Sequence, residues 1–161
     1  MAKEFVLSVG NVTASTTLIW LNNTSAPNIA IEVLRWWVGQ SANATSAQQR
    51  VDVFTQVTGF PVMTATTARH LKFADTVASI LVGSTTGNTA TCGTQATTEG
   101  GGAKTQNLND AFNVLNGWLQ VPTPPETFVV PAGFLSGIGL ELSAIPASQA
   151  SWSYGCTYRE V

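Results

Sequence analysis

Two β-patterned runs joined by a short polar linker constrain this chain more than any other stretch. The first, Ile29–Gln40, carries Ile29, Ile31, Val33 and Trp37 at one parity and Leu34, Trp36 and Val38 at the other. Successive side chains of a strand point to opposite faces, so this run reads as a central strand with both faces covered, by its own fold or by a neighbouring chain. The second, Gln48–Thr58, places Val51, Val53 and Val57 on one face and Asp52 and Gln56 on the other, the alternation of a half-buried strand. The linker Ser41–Ala47 is longer than a two-residue hairpin turn, so the two strands are expected to be neighbours without being forced to pair.

The rest of the chain repeats the theme. Glu4–Val9 reads as a first strand turned by Gly10-Asn11, and Thr16–Leu21 as a second. Met63–Thr67 reads as a short edge strand, with further apolar pieces at Arg69–Phe73 and Ala78–Val82. Asp110–Val121 reads as a strand broken near Asn116-Gly117, because Gly argues against an uninterrupted helix there. After the rigid corner Pro122–Pro125 come strands at Glu126–Val130, Gly137–Ser143 and Trp152–Glu160; in Gly137–Ser143 the residues Ile138, Leu140 and Leu142 point in, and Gly139 and Glu141 out. The sum is roughly eight to ten short strands with close turn signals and no convincing helix, which predicts a single all-β domain over residues 1–161, a β-sandwich of jelly-roll type. Gly83–Gln106, rich in Gly and Thr with Gly100-Gly101-Gly102 at its heart, has no apolar periodicity. It reads as a long projecting loop, mobile in the isolated chain and ordered by contact in an assembly.

Charged residues make up 10% of the chain, against about 25% in an ordinary soluble domain. A surface this poor in charge predicts cover by other subunits, a homo-oligomer with Trp20, Trp36, Trp37, Trp118 and Trp152 as candidate contact residues. No apolar run reaches the roughly 18 residues of a spanning helix, so no membrane partner is expected. Seven Lys and Arg scattered singly, at net charge −2, exclude a basic patch for nucleic acid. Met1–Phe5 lacks a basic stretch leading into an apolar one, so no secretory signal is expected. Cys92 and Cys156 are too few for a zinc site and read as free thiols, with a late disulfide as the alternative.

No catalytic constellation stands out. His70 is the single histidine and lies between Arg69 and Lys72, poor surroundings for a general base. Glu32 and Asp52, on strands expected to be close and beside Arg35 and Arg50, suit cross-strand ion pairs better than a glycosidase pair. The tryptophans could stack on sugar rings, though in strands they more often anchor cores and interfaces. Gly100–Gly102 is no phosphate loop, because no Lys-Ser/Thr and no helix start follows it. No cofactor or metal is expected.

Several stretches together resemble small structural proteins of tailed bacteriophages: Ile31–Arg35, the small-residue linker, Gln48–Asp52, Asn116-Gly117-Trp118, Pro122–Glu126 and Val130–Gly133. The class includes capsid decoration, or cement, proteins, often jelly-roll trimers standing on the shell. The resemblance implies a non-enzymatic virion protein, assembled in the host cytoplasm, that binds itself and the major capsid protein or another virion protein. The alternative is a tail- or fibre-associated receptor- or carbohydrate-binding β-sandwich.

Overall fold

A computed structural model describes residues 3–12, 16–24, 28–40, 46–72, 75–83, 90–133, 136–144 and 151–161. Among them there is no helix. Thirteen strands are present: β1 (Lys3–Val12), β2 (Thr17–Asn22), β3 (Ile31–Gln40), β4 (Gln48–Gln56), β5 (Val62–Ala65), β6 (Arg69–His70), β7 (Val82–Gly83), β8 (Thr91–Thr98), β9 (Lys104–Asn113), β10 (Trp118–Gln120), β11 (Phe128–Val130), β12 (Gly137–Leu142) and β13 (Trp152–Glu160). They form a two-sheet β-sandwich, antiparallel except for the short β7–β8 contact.

Sheet A runs β10–β3–β13–β1–β6, with β11 in line with β10 along β3; sheet B runs β5–β8–β2–β12–β4–β9, with β7 on β8. The early strands pair with the late ones in reverse order: β1 with β13, β2 with β12, β3 with β11 and β10, β4 with β9. The chain is thus one long antiparallel ribbon. The ribbon is rolled up by two further pairings, β13 with β3 and β12 with β4. Strands β5 to β8 leave the tip of the ribbon and close one flank, where β6 pairs β1 in sheet A and β8 pairs β2 in sheet B.

Between the sheets lie Phe5, Leu7, Ile31, Val33, Trp36, Val38, Tyr154 and Tyr158 from sheet A against Ile19, Leu21, Val51, Val53, Ile138, Leu140 and Leu142 from sheet B, all buried. The segment before β7 is pinned to β13, where Glu160 Oε1 accepts from Ser79 Oγ at 2.7 Å and from the Ile80 backbone N–H at 2.8 Å.

Several expectations change. The apolar residues of β3 do not alternate between two faces as those of a regular strand would. Tyr158 pairs Val33 and Thr157 pairs Arg35, so Leu34 is an extra residue, a β-bulge. It resets the parity: Ile31 and Val33 point inward before it, Trp36 and Val38 inward after it. The strand is interior to sheet A, but it does not require a second subunit over its back. The neighbours β3 and β4 lie in opposite sheets, and Val57, past the end of β4, is exposed. Gly10 and Asn11 do not turn the chain; they sit in a bulge of β1 between Val9 and Val12.

The expected long loop is largely sheet. Thr91–Thr98 is a strand between β2 and β5, and β9 begins at Lys104. Thr91, Cys92 and Thr94 are buried. Threonine is a good strand former, and the lack of large apolar side chains reflects tight packing, since a Cβ on Gly93 would collide with Met63. This part is ordered by its own subunit; residues 84–89 of the expected loop lie outside the described residues. Both cysteines are buried free thiols. Burial pushes the Cys92 thiol up to about 11 and Cys156 well above its usual value, so neither is a ready thiolate at neutral pH.

Candidate functional site

Four of the five tryptophans serve the subunit's own interior. Trp36 and Trp152 are fully buried between the sheets, and Trp118 is buried with its indole N–H donating to Asp110 Oδ2 at 2.9 Å. Trp20 is buried on the other side of sheet B, stacked 5.7 Å from Phe54 and flanked by Phe60 and Met63. Within one subunit none of these four has surface to offer a partner. Trp37 is the exception: the parity set by the bulge turns it to the outer face of sheet A, where it is half-buried.

The surroundings of Trp37 follow from the register. It pairs Leu119 on one side and Gly155 on the other, and Gly155 pairs Ser8. The indole lies across Gly155, and a Cβ there would overlap the ring. Arg35 comes over the ring at 5.1 Å from its centre and donates to Thr157 Oγ1 at 3.3 Å. Next to Trp37 is a groove of about 770 Å³, walled on the far side by Thr66, Thr67 and Arg69 and floored by Ser8 and Ser153.

Along the β10–β11 margin of the same sheet, Leu115, Leu119, Val121 and Val129 are each more than half exposed. Leu119 and Val129 pair Trp37 and Glu32, so they share the outer face. The two margin strands have three residues each and are separated by the Pro122–Pro125 corner. Short, proline-interrupted edge strands do not template strand addition. This margin offers side chains rather than free backbone.

The outer face of sheet B carries a network of paired polar and charged groups beside its aromatic cluster. Glu99 accepts from Thr17 N–H at 2.8 Å and from Thr17 Oγ1 at 2.5 Å. Lys104 lies 4.4 Å from the Phe54 ring, 3.6 Å from Glu99 and in direct contact with Glu141. Arg50 and Asn109 both donate to Asp52 Oδ1, at 3.1 and 2.5 Å. Burial pushes the Glu141 carboxyl up, and Lys104 offsets only part of this. For Glu99, burial also acts upward but is outweighed by the Thr17 and Thr16 hydrogen bonds and by Lys104, so its carboxyl lies below the ordinary 4.5. A depressed carboxyl stabilises the fold above its unfolded value, and that stability is lost as pH falls through the folded value. Glu99→Gln is therefore expected to lower the urea midpoint at pH 7, with the gap to the parent closing below about pH 4. An unchanged gap at pH 3 would contradict the ionic role.

The acid pair suggested by the sequence is split. Glu32 is on sheet A, paired across strands with Arg159 at 2.5 Å, whose hydrogen bond holds its carboxyl below the ordinary value; Asp52 is on sheet B, paired with Arg50 within its own strand. Arg35 joins neither pair. His70 packs edge-on to Phe5, its Nδ1 accepts from the Lys72 backbone N–H, and its Nε2 lies 3.1 Å from Asp75. It holds its loop together. Among the described residues no group of His, Cys, Asp or Glu side chains could hold a metal ion.

Of the residues that form the outer face of sheet A, sequence reasoning singled out Trp37 but not Leu119, Val129, Ser8 or Arg69. The spacing of Arg35 and Trp37, two apart after a parity break, was the available signal. No protein-family model, curated protein or solved structure matches the chain.

Proposed function

We propose that this chain is a non-enzymatic structural subunit of a tailed-bacteriophage virion, a capsid decoration protein that stabilises the head as a homo-oligomer, with a trimer favoured. The rolled ribbon, whose halves pair in reverse order, is read here as the jelly roll expected of that class. The observation that carries the proposal is the exposed aliphatic margin of Leu115, Leu119, Val121 and Val129 in a chain with so few charges. Several exposed aliphatic side chains along one sheet margin favour protein contact. Stretches that carry the phage resemblance, Asn116-Gly117-Trp118, Pro122–Glu126 and Val130, belong to this margin. In this reading they build the contact edge, and the major capsid protein meets the assembled oligomer.

Sedimentation velocity tests the assembly. The parent is expected to run as a trimer at micromolar concentration, and Leu119→Asp with Val129→Asp as a folded monomer. Electron cryomicroscopy of the source particle tests the address, with density of this fold expected at lattice positions on the head. A parent that stays monomeric both in solution and on the particle, or density only in the tail, would overturn the proposal.

A further inference from the structure

We infer that the groove beside Trp37 is a binding site for an acidic saccharide. The inference stands on the outer face of sheet A alone and holds whether the protein sits on a head or elsewhere.

Three observations converge. First, Trp37 is the one tryptophan turned outward, and the bare backbone at Gly155 lets its indole lie across the neighbouring strand. Arg35 lies over this ring, 5.1 Å from its centre; the exposed guanidinium swings aside toward the acid group as the C–H face of a sugar stacks on the indole. Second, the hydroxyl of Thr66, in the groove wall, is held by Thr94 at 2.6 Å, while those of Ser8, Ser153 and Thr67 line the groove. They both donate and accept, as ring hydroxyls require. The groove's volume of about 770 Å³ falls within the roughly 300–1,000 Å³ typical of small-molecule sites.

Third, the charge at the site is positive and unneutralised. Arg35, Thr157, Val6 and Arg69 form one cross-strand row, the row next to Trp37, Gly155 and Ser8. Three strand spacings separate the two arginines, about 14 Å, so they flank the platform. Neither has a carboxylate within ion-pair distance, although all nine Asp and Glu belong to the described residues. The groove lining contains no acid. A guanidinium that stays charged and unpaired suits a carboxylate, which it can bind through two parallel hydrogen bonds. In a chain of net charge −2 this is a local exception, and it favours a sugar bearing carboxylates over a neutral one.

The test uses a hexamer of galacturonic acid as probe and neutral maltohexaose as its control, followed by calorimetry and tryptophan fluorescence on the full chain. The acidic hexamer is expected to bind at least about tenfold more tightly than the neutral one. Trp37→Ala should weaken it about tenfold or more, Trp37→Tyr should restore most of the loss, and Arg69→Ala should weaken the acidic hexamer about tenfold while leaving the neutral one unchanged. Unchanged thermal melts would show that these outward-facing variants fold. The inference is overturned by any of four results: no binding of the acidic hexamer at about 1 mM; equal affinity for the neutral hexamer; undiminished binding by Trp37→Ala, meaning charge alone attracts the probe; or a single-stranded DNA hexamer bound more tightly than the saccharide through the same residues. Dissociation of the oligomer by Trp37→Ala, with glycan affinity unchanged, would assign the groove to subunit contact and likewise overturn it.

Discussion

Gly102→Ala is expected to destabilise the protein by about 3 kcal/mol, while Gly101→Ala beside it shifts stability by less than about 0.5 kcal/mol. The contrast comes from a crossing of two connections on the outer side of sheet B. The turn after β4 and the connection from β8 to β9 meet backbone to backbone, with Gly102 N–H donating to Gly59 C=O at 3.3 Å. A Cβ on Gly102 would overlap the Thr58 carbonyl oxygen, and one on Gly100 the Gly59 carbonyl oxygen; at Gly101 nothing lies within 4 Å. Backbone cannot swing aside as a side chain can. The Thr58 and Gly59 carbonyls are also held by Gln56 Nε2, at 3.0 and 2.6 Å, so moving them breaks those bonds too. At Gly101 the methyl group meets only open space, and the reduced freedom of the unfolded chain offsets any small strain. Urea unfolding of the two variants decides the matter. Equal midpoints would mean that the crossing is loose.

Trp36→Ala and Trp152→Ala are expected to cost about 3–5 kcal/mol each, and Trp37→Ala less than about 1 kcal/mol. For a chain of this size, 3 kcal/mol corresponds to a fall in melting temperature of roughly 6–12 °C. Trp36 and Trp152 fill the space between the sheets with no exposure, so truncation leaves a large cavity that neighbouring strands cannot close. Trp37 loses mainly its contacts with Gly155 and Arg35. The melts are best taken at low protein concentration, so that self-association adds nothing to the apparent stability. If Trp37→Ala proved as damaging as Trp36→Ala there, Trp37 would be a core residue and the parity assigned to β3 would be wrong.

The same residues show how far the sequence could be read. The all-β class, the break at Asn116-Gly117 and the inward set Ile138, Leu140 and Leu142 follow from period and turn chemistry, and the structure has them. Gly117 takes a φ of 70°, which is why glycine stands at that break. The bulge at Leu34 was not legible, because one inserted residue mimics a strand that is apolar on both faces. Strand β8 was missed because its buried side chains are small; propensity marked threonine, but no large residue marked burial. Gly137 and Gly139 look like weak strand residues, yet Trp20 and Phe54 lie where their side chains would be. Pairing a bare position with a large ring on the next strand is a three-dimensional economy that no local window reveals. Arg69 was invisible as a site residue for a related reason: only the excursion of β5 to β8 around the flank brings it beside β1.

The rolled ribbon also dictates an order of events during synthesis. Of the strands in this sandwich β1 is made before all the others and its long partner, β13, after them, and β13 is also what joins β1 to β3 in sheet A. Until β13 has been translated, both early strands present open edges toward the gap that it will fill. Phe5, Leu7, Trp36 and Val38 therefore stay open to premature association until all the other strands of the sandwich have been made. Loop closures of this length make folding slow and expose the chain to aggregation.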